Sequence, residues 1–155
     1  GCELALRCDL RVAHPGVSLR MPPVRLGVIY TPEGLNRLSA LAGAGLARDM
    51  LLTARAVPAD EALAAGLLSR VVPAAAVLAE AIALAEAIAR GAPLAVAGTR
   101  DLLDRLLVGG PRLNEAEEAE LLTRRRAAWQ SPEARAARAA FRRSCTDQRL
   151  QPRGT

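Results

Sequence analysis

Gly1-Cys2-Glu3-Leu4-Ala5-Leu6-Arg7-Cys8-Asp9-Leu10-Arg11-Val12-Ala13 is the stretch on which the rest of the reading hangs. A glycine ahead of small and apolar residues predicts a tight entry into a short helix over residues 4–8, since glycine lets the backbone approach a neighbour or ligand closely. Glu3 falls in the first turn, where free N–H groups and the helix dipole favour a carboxylate. Leu4, Ala5, Leu6 and Cys8 leave little of this helix for solvent, so Glu3 is expected to be partly buried. Buried carboxylates are candidates for acid–base work. A capping acid without chemistry is the other reading, and the pattern alone leaves both open.

Outward from there, residues 10–13 read as an apolar strand and His14-Pro15-Gly16 as a turn, with His14 a turn residue rather than a base. Pro22-Pro23 opposes both helix and central strand, so residues 20–24 are expected to be irregular. Thr31-Pro32-Glu33 supplies an N-cap, a first-turn proline and an early acid for a helix to about residue 42, closed by Gly43 and Gly45. A second helix follows over residues 46–53. A third runs over 58–65 and stops at Gly66, and residues 69–72 form a short strand. Four longer helices are expected downstream: 74–90, 95–107, 114–128, and 131 to about 143. Glu115, Glu117, Glu118 and Glu120 near the start of the third of these, with Arg124, Arg125 and Arg126 near its end, complement the macrodipole without any ligand.

Composition narrows the classes. The chain has 155 residues, 51% of them hydrophobic, but only one Trp, one Tyr and one Phe, so its core must be aliphatic. No apolar run reaches membrane-spanning length, and no charged-then-apolar secretory leader opens the sequence. Cys2, Cys8 and Cys145 lack metal-ligand spacing and read as reduced thiols of a cytoplasmic protein. All 21 basic residues are arginine and the net charge is +5, yet the arginines are interleaved with acids until about residue 135. That mixing, and the dearth of stacking aromatics, argue against nucleic-acid binding.

The opening motif resembles the signature of the crotonase superfamily, the enoyl-CoA hydratase/isomerase proteins. The likeness continues through Val24-Arg25-Leu26-Gly27-Val28-Ile29, Gly34-Leu35-Asn36-Arg37-Leu38, Leu51-Leu52-Thr53-Ala54-Arg55 and residues 59–73, and fades after about Leu107. It implies an α/β fold: the later part of a ββα spiral through residue 93, a helical trimerisation region over 94–145, and a flexible tail over 146–155. The motif stands at the chain's first residue, so the likeness is to the C-terminal part of such a protein. It further implies an acyl-CoA thioester substrate, with coenzyme A as part of that substrate and no separate cofactor, and a homotrimer or hexamer.

Members of the family bind the thioester oxygen with two backbone N–H groups and stabilise an enolate. By the match, one donor is upstream and the other belongs to a glycine just before Gly1, which shapes the turn. Glu3 matches the first of the two glutamates that hydratases use. The second falls in a Pro-Glu-x-x-Leu-Gly pattern that here reads Pro22-Pro23-Val24-Arg25-Leu26-Gly27, so Pro23 occupies the glutamate's place and Leu26 lines the same segment. Proline moves no proton, which puts ordinary two-glutamate hydration in doubt. Tyr30 and Glu33 stand nearby and can compensate, or are a packing residue and a first-turn acid. Decarboxylation of a malonyl-type thioester, hydrolysis, and a non-catalytic acyl-CoA-binding or assembly role are the alternatives. Phe141, Arg142 and Arg143 resemble the segment that meets the nucleotide of coenzyme A, or compensate a helix dipole.

Overall fold

Thr31 does what its sequence position predicts: its hydroxyl accepts from Gly34 N at 3.2 Å and opens the longest helix. A computed structural model describes the backbone of residues 1–109 and 114–150; the side chains of 108, 109, 141, 142 and 144–150 lie outside that description. In order, the chain forms α1 (Cys2–Leu6), β1 (Val12–Ala13), β2 (Ser18–Leu19), α2 (Pro23–Leu26), α3 (Pro32–Thr53), β3 (Val57–Pro58), α4 (Ala59–Ala64) and β4 (Arg70–Val71). A single 3₁₀ turn (Ala74–Ala76) leads into α5 (Val77–Ala89), followed by α6 (Pro93–Gly109), α7 (Glu115–Gln130) and α8 (Pro132–Leu150).

Two compact units result, Gly1–Ala85 and Glu86–Thr155. The division falls inside α5, whereas the sequence suggests one near Pro93. The reason is local. Glu80, early in α5, pairs with Arg70 at 3.7 Å, whereas the end of α5 turns directly into α6, with Gly91 N donating to Ile88 O at 2.9 Å.

In the first unit the strands are two residues long. β1 pairs with β4 in parallel, Val12 opposite Arg70 and Ala13 opposite Val71. β2 pairs with β3 antiparallel, Ser18 opposite Pro58 and Leu19 opposite Val57. Two-residue ladders are weak by themselves, and Arg11 reinforces the first. Its backbone N–H donates to Ser69 Oγ at 3.1 Å while Ser69 N returns a bond to Arg11 O at 2.8 Å. Its guanidinium donates to Leu67 O at 2.6 Å and to Cys8 O. Burial, with the nearby charge of Arg37, draws the Arg11 pKa below its ordinary value, opposed by Cys8 and Asp9.

Leu6, Met21, Leu38, Met50, Val57 and Leu67 are almost wholly buried and form the aliphatic core that the composition requires. α3 is broken at Gly43 (φ 76, ψ 155), so it is two helical arms joined where the sequence expects one helix to stop and another to begin. One expectation fails. Residues 20–24 are not irregular throughout, because Pro23 opens α2. At the first helical position its missing N–H would have had no intrahelical partner, so proline is tolerated there. Gly27, left-handed at φ 65, closes the turn with its N–H on Pro23 O.

In the second unit, Asn114 and Glu117 form a capping box, Asn114 Oδ1 accepting from Glu117 N at 3.0 Å and Glu117 Oε2 accepting from Asn114 N at 2.8 Å. Ser131 Oγ accepts from Ala134 N at 3.1 Å and starts α8. α8 runs to Leu150, beyond the expected end near Arg143; residues 151–155 of the expected tail lie outside the described residues.

Candidate active site

α1 contacts α3, and two side chains spaced i, i+4, Glu3 on α1 and Arg7 at its C-cap, meet the beginning of that helix. Residues at that spacing share one helix face. Glu3 is half-buried, and its carboxylate rests against Gly34: a β-carbon built on Gly34 would fall 2.6 Å from Glu3 Oε1. One turn later, Arg7 Nη1 pairs with Glu33 Oε1 at 3.1 Å, both side chains about half exposed. Glu3 and Glu33, singled out separately in the sequence, are thus brought to the same end of α3.

Tyr30 immediately precedes the Thr31 cap and is partly buried against the core. Its ring packs at the foot of the same helix. Pro23 is buried at the first position of α2, which packs on α3. Leu26 is 64% exposed, and the exposure continues through Val28 and Ile29. Gly1 is exposed and its carbonyl accepts from Ala5 N at 3.0 Å, closing the first turn of α1. Burial pushes the thiol of the neighbouring Cys2 up, partly offset by the N-terminal charge and a backbone hydrogen bond from Arg20, so this thiol stays protonated beside Glu3.

The nucleotide-contacting candidates lie in the other unit. Arg143 is exposed on α8; the side chains of Phe141 and Arg142 lie outside the described residues. The same unit holds a hollow of about 550 Å³ between α6, α7 and α8. Leu94, Leu102, Leu121 and Ala137 line it, with Arg124, Arg125 and Arg138 among its polar groups. Its volume is that of a small-molecule site, yet it contains no residue to which the sequence gives a chemical role, and the candidate acid–base groups are elsewhere. Chemistry outranks volume here, so the candidate site is the Glu3 end of α3. Arg138 stacks on Trp129, 3.9 Å from the ring centroid, and donates to Trp129 O at 2.9 Å.

Sequence reading missed two members of the cluster. Arg7 was discoverable from its i, i+4 spacing to Glu3. Gly34 was not, because only the folded chain sets it against α1. Among the described residues no three of His, Cys, Asp and Glu gather as metal ligands would.

The model of the enoyl-CoA hydratase/isomerase family matches residues 1–137. The chain is 37% identical over 105 residues to a short-chain-enoyl-CoA hydratase of Clostridium acetobutylicum, covering 68% of this chain and 40% of the relative. It is 35% identical over 123 residues to a 2,3-dehydroadipyl-CoA hydratase of Escherichia coli, covering 79% and 48%. An enoyl-CoA hydratase structure from Mycobacterium smegmatis superposes with a TM-score of 0.77 at 28% identity, covering 93% of this chain and 55% of that one. A methylmalonyl-CoA decarboxylase complexed with 2S-carboxypropyl-CoA superposes at 0.67 and 30% identity, covering 84% and 50%. The chain thus spans about half the length of the relatives it matches. With residues 1–137 matched by one family model and the crotonase fold shared with these structures, this chain belongs to the enoyl-CoA hydratase/isomerase family.

Proposed function

We propose that this chain carries the proton-handling part of an acyl-CoA-processing enzyme, with Glu3 exchanging a proton at the thioester's α-carbon. What supports it is the seat of Glu3, a half-buried carboxylate on the first turn of α1, packed against the start of α3; the family resemblance puts a hydratase glutamate at the same place. Hydration adds a hydroxyl to the β-carbon and a proton to the α-carbon of an enoyl thioester. Backbone N–H donors, one upstream by the match and one at the turn ahead of Gly1, would hold the charge that develops on the thioester oxygen. Glu33, held by Arg7, would act as a fixed anion rather than a proton donor. Tyr30 would offer a hydroxyl to the substrate.

A positioned proton-transfer group contributes about a hundred- to ten-thousandfold. Glu3→Gln is therefore expected to lower kcat on crotonyl-CoA by about that factor. Crotonyl-CoA turnover that survives the substitution would remove Glu3 from the mechanism.

Pro23 favours a second reading, because a buried proline can supply no second carboxylate. In decarboxylation, loss of carbon dioxide from a malonyl-type thioester leaves its electron pair as the enolate, and only one proton then has to be delivered to the α-carbon. A single carboxyl group suffices for that. Turnover of methylmalonyl-CoA in preference to crotonyl-CoA distinguishes this reading, and tight binding of acyl-CoA without turnover of either would favour a binding role.

A further inference from the structure

Gly34 is a buried glycine in the first turn of a long helix, and its backbone does not require a glycine. Among the described residues the glycines at positive φ are Gly27, Gly43 and Gly66, and Gly34 is not one of them. Glycine is among the weakest helix formers, so helix propensity does not account for it either. Space does. A β-carbon at this position would lie 2.6 Å from Glu3 Oε1, 3.3 Å from Glu3 Cδ and 3.3 Å from Thr31 Oγ1. Ordinary contact begins at 3.4 Å, so the Glu3 carboxylate occupies the volume that any other residue would need for its first side-chain atom.

We propose that Gly34 is a positioning residue: its missing side chain forms the socket that fixes the carboxylate of Glu3. The inference deepens the functional reading above and rests on it for the kinetic part only. The obstructing atom is the far end of a flexible side chain, so an added methyl displaces the carboxylate and leaves the helix in place. A misplacement of about 1 Å in a reacting group costs on the order of a hundredfold in rate. The same added β-carbon would approach the hydroxyl of Thr31, which is committed to capping α3.

The test is a two-by-two comparison in the intact protein with crotonyl-CoA or methylmalonyl-CoA, whichever it turns over. Gly34→Ala is expected to lower kcat about a hundredfold, with KM and Tm little changed. Glu3→Asp is one methylene shorter and withdraws the carboxylate from the socket, so adding Gly34→Ala to Glu3→Asp is expected to cost nothing further. Equal losses in both backgrounds would mean the two residues are independent and would overturn the proposal. A crystal structure of the Gly34→Ala variant reads the same point without activity. A carboxylate displaced by about 1 Å supports the socket, and one left in place overturns it. A wild type that turns over no thioester counts against the chemistry given to Glu3, and the displacement alone then decides the socket.

Discussion

At the scale of single residues, the proposed site contrasts an acid, Glu3, with a proline, Pro23. Pro23 is buried at the mouth of α2, and the first helical position is one where a carboxylate is electrostatically welcome. Pro23→Glu is therefore expected to raise the hydration rate of crotonyl-CoA, by about a hundredfold if the restored group moves a proton. A lower Tm should accompany it, since a charge enters a buried position. A rate unchanged by the substitution would mean that the family's second glutamate is not what this site lacks. The sequence displayed Glu3 and the proline substitution openly, since one keeps and the other changes the residue type within a motif. It did not display what Glu3 touches, because Gly34 comes against it only through the approach of α1 to α3.

At the scale of elements, a capping side chain marks the start of three of the described helices. Thr31-Pro32 opens α3, Asn114 with Glu117 opens α7, and Ser131 opens α8, each by a side chain close in sequence to the N–H it satisfies. β3 was missed because a two-residue strand is defined by its partner Leu19, far away in sequence. α2 was missed because proline was weighed as a breaker and not as a first helical residue. Gly43 joins the arms of α3 at φ 76, ψ 155, a backbone region open essentially to glycine, with open space around its absent side chain. Gly43→Ala is thus expected to cost about 1–3 kcal/mol from backbone strain alone, read as a lower urea midpoint with an unchanged m-value.

Between α3 and α4, Arg55 donates to both oxygens of Glu61, at 2.8 and 2.5 Å, and to Asp49. These bonds hold the Glu61 carboxyl below its ordinary value of 4.5. A pKa lowered on folding adds stability above the unfolded value and loses it as pH falls through the folded one. Thermal melts of the wild type and Glu61→Gln should accordingly differ most near neutral pH and converge as pH drops below that ordinary value.

At the scale of the whole molecule, the first unit presents exposed apolar material beside α2. Ile29 is 93% exposed, beside Val28 at 46% and Leu26 at 64%. A run of exposed aliphatics of this kind marks an interaction surface. Sedimentation of the intact protein is expected to give an oligomer that Ile29→Glu shifts toward smaller species; an unchanged assembly would exclude this segment from the contact. Among the described residues no helix is long and apolar enough to cross a membrane. The hollow between α6, α7 and α8 was not visible in the sequence, since each helix contributes only a residue or two per turn to it.

The ladder formed by Val12 and Ala13 with Arg70 and Val71 also dictates an order of events at the ribosome. Val12 and Ala13 have no partner strand, and Arg11 no carbonyl at Leu67, until the chain has emerged past residue 72. Until then the pairing groups of β1 wait for a partner. The helical segments after residue 93, which close their hydrogen bonds locally, face no such delay.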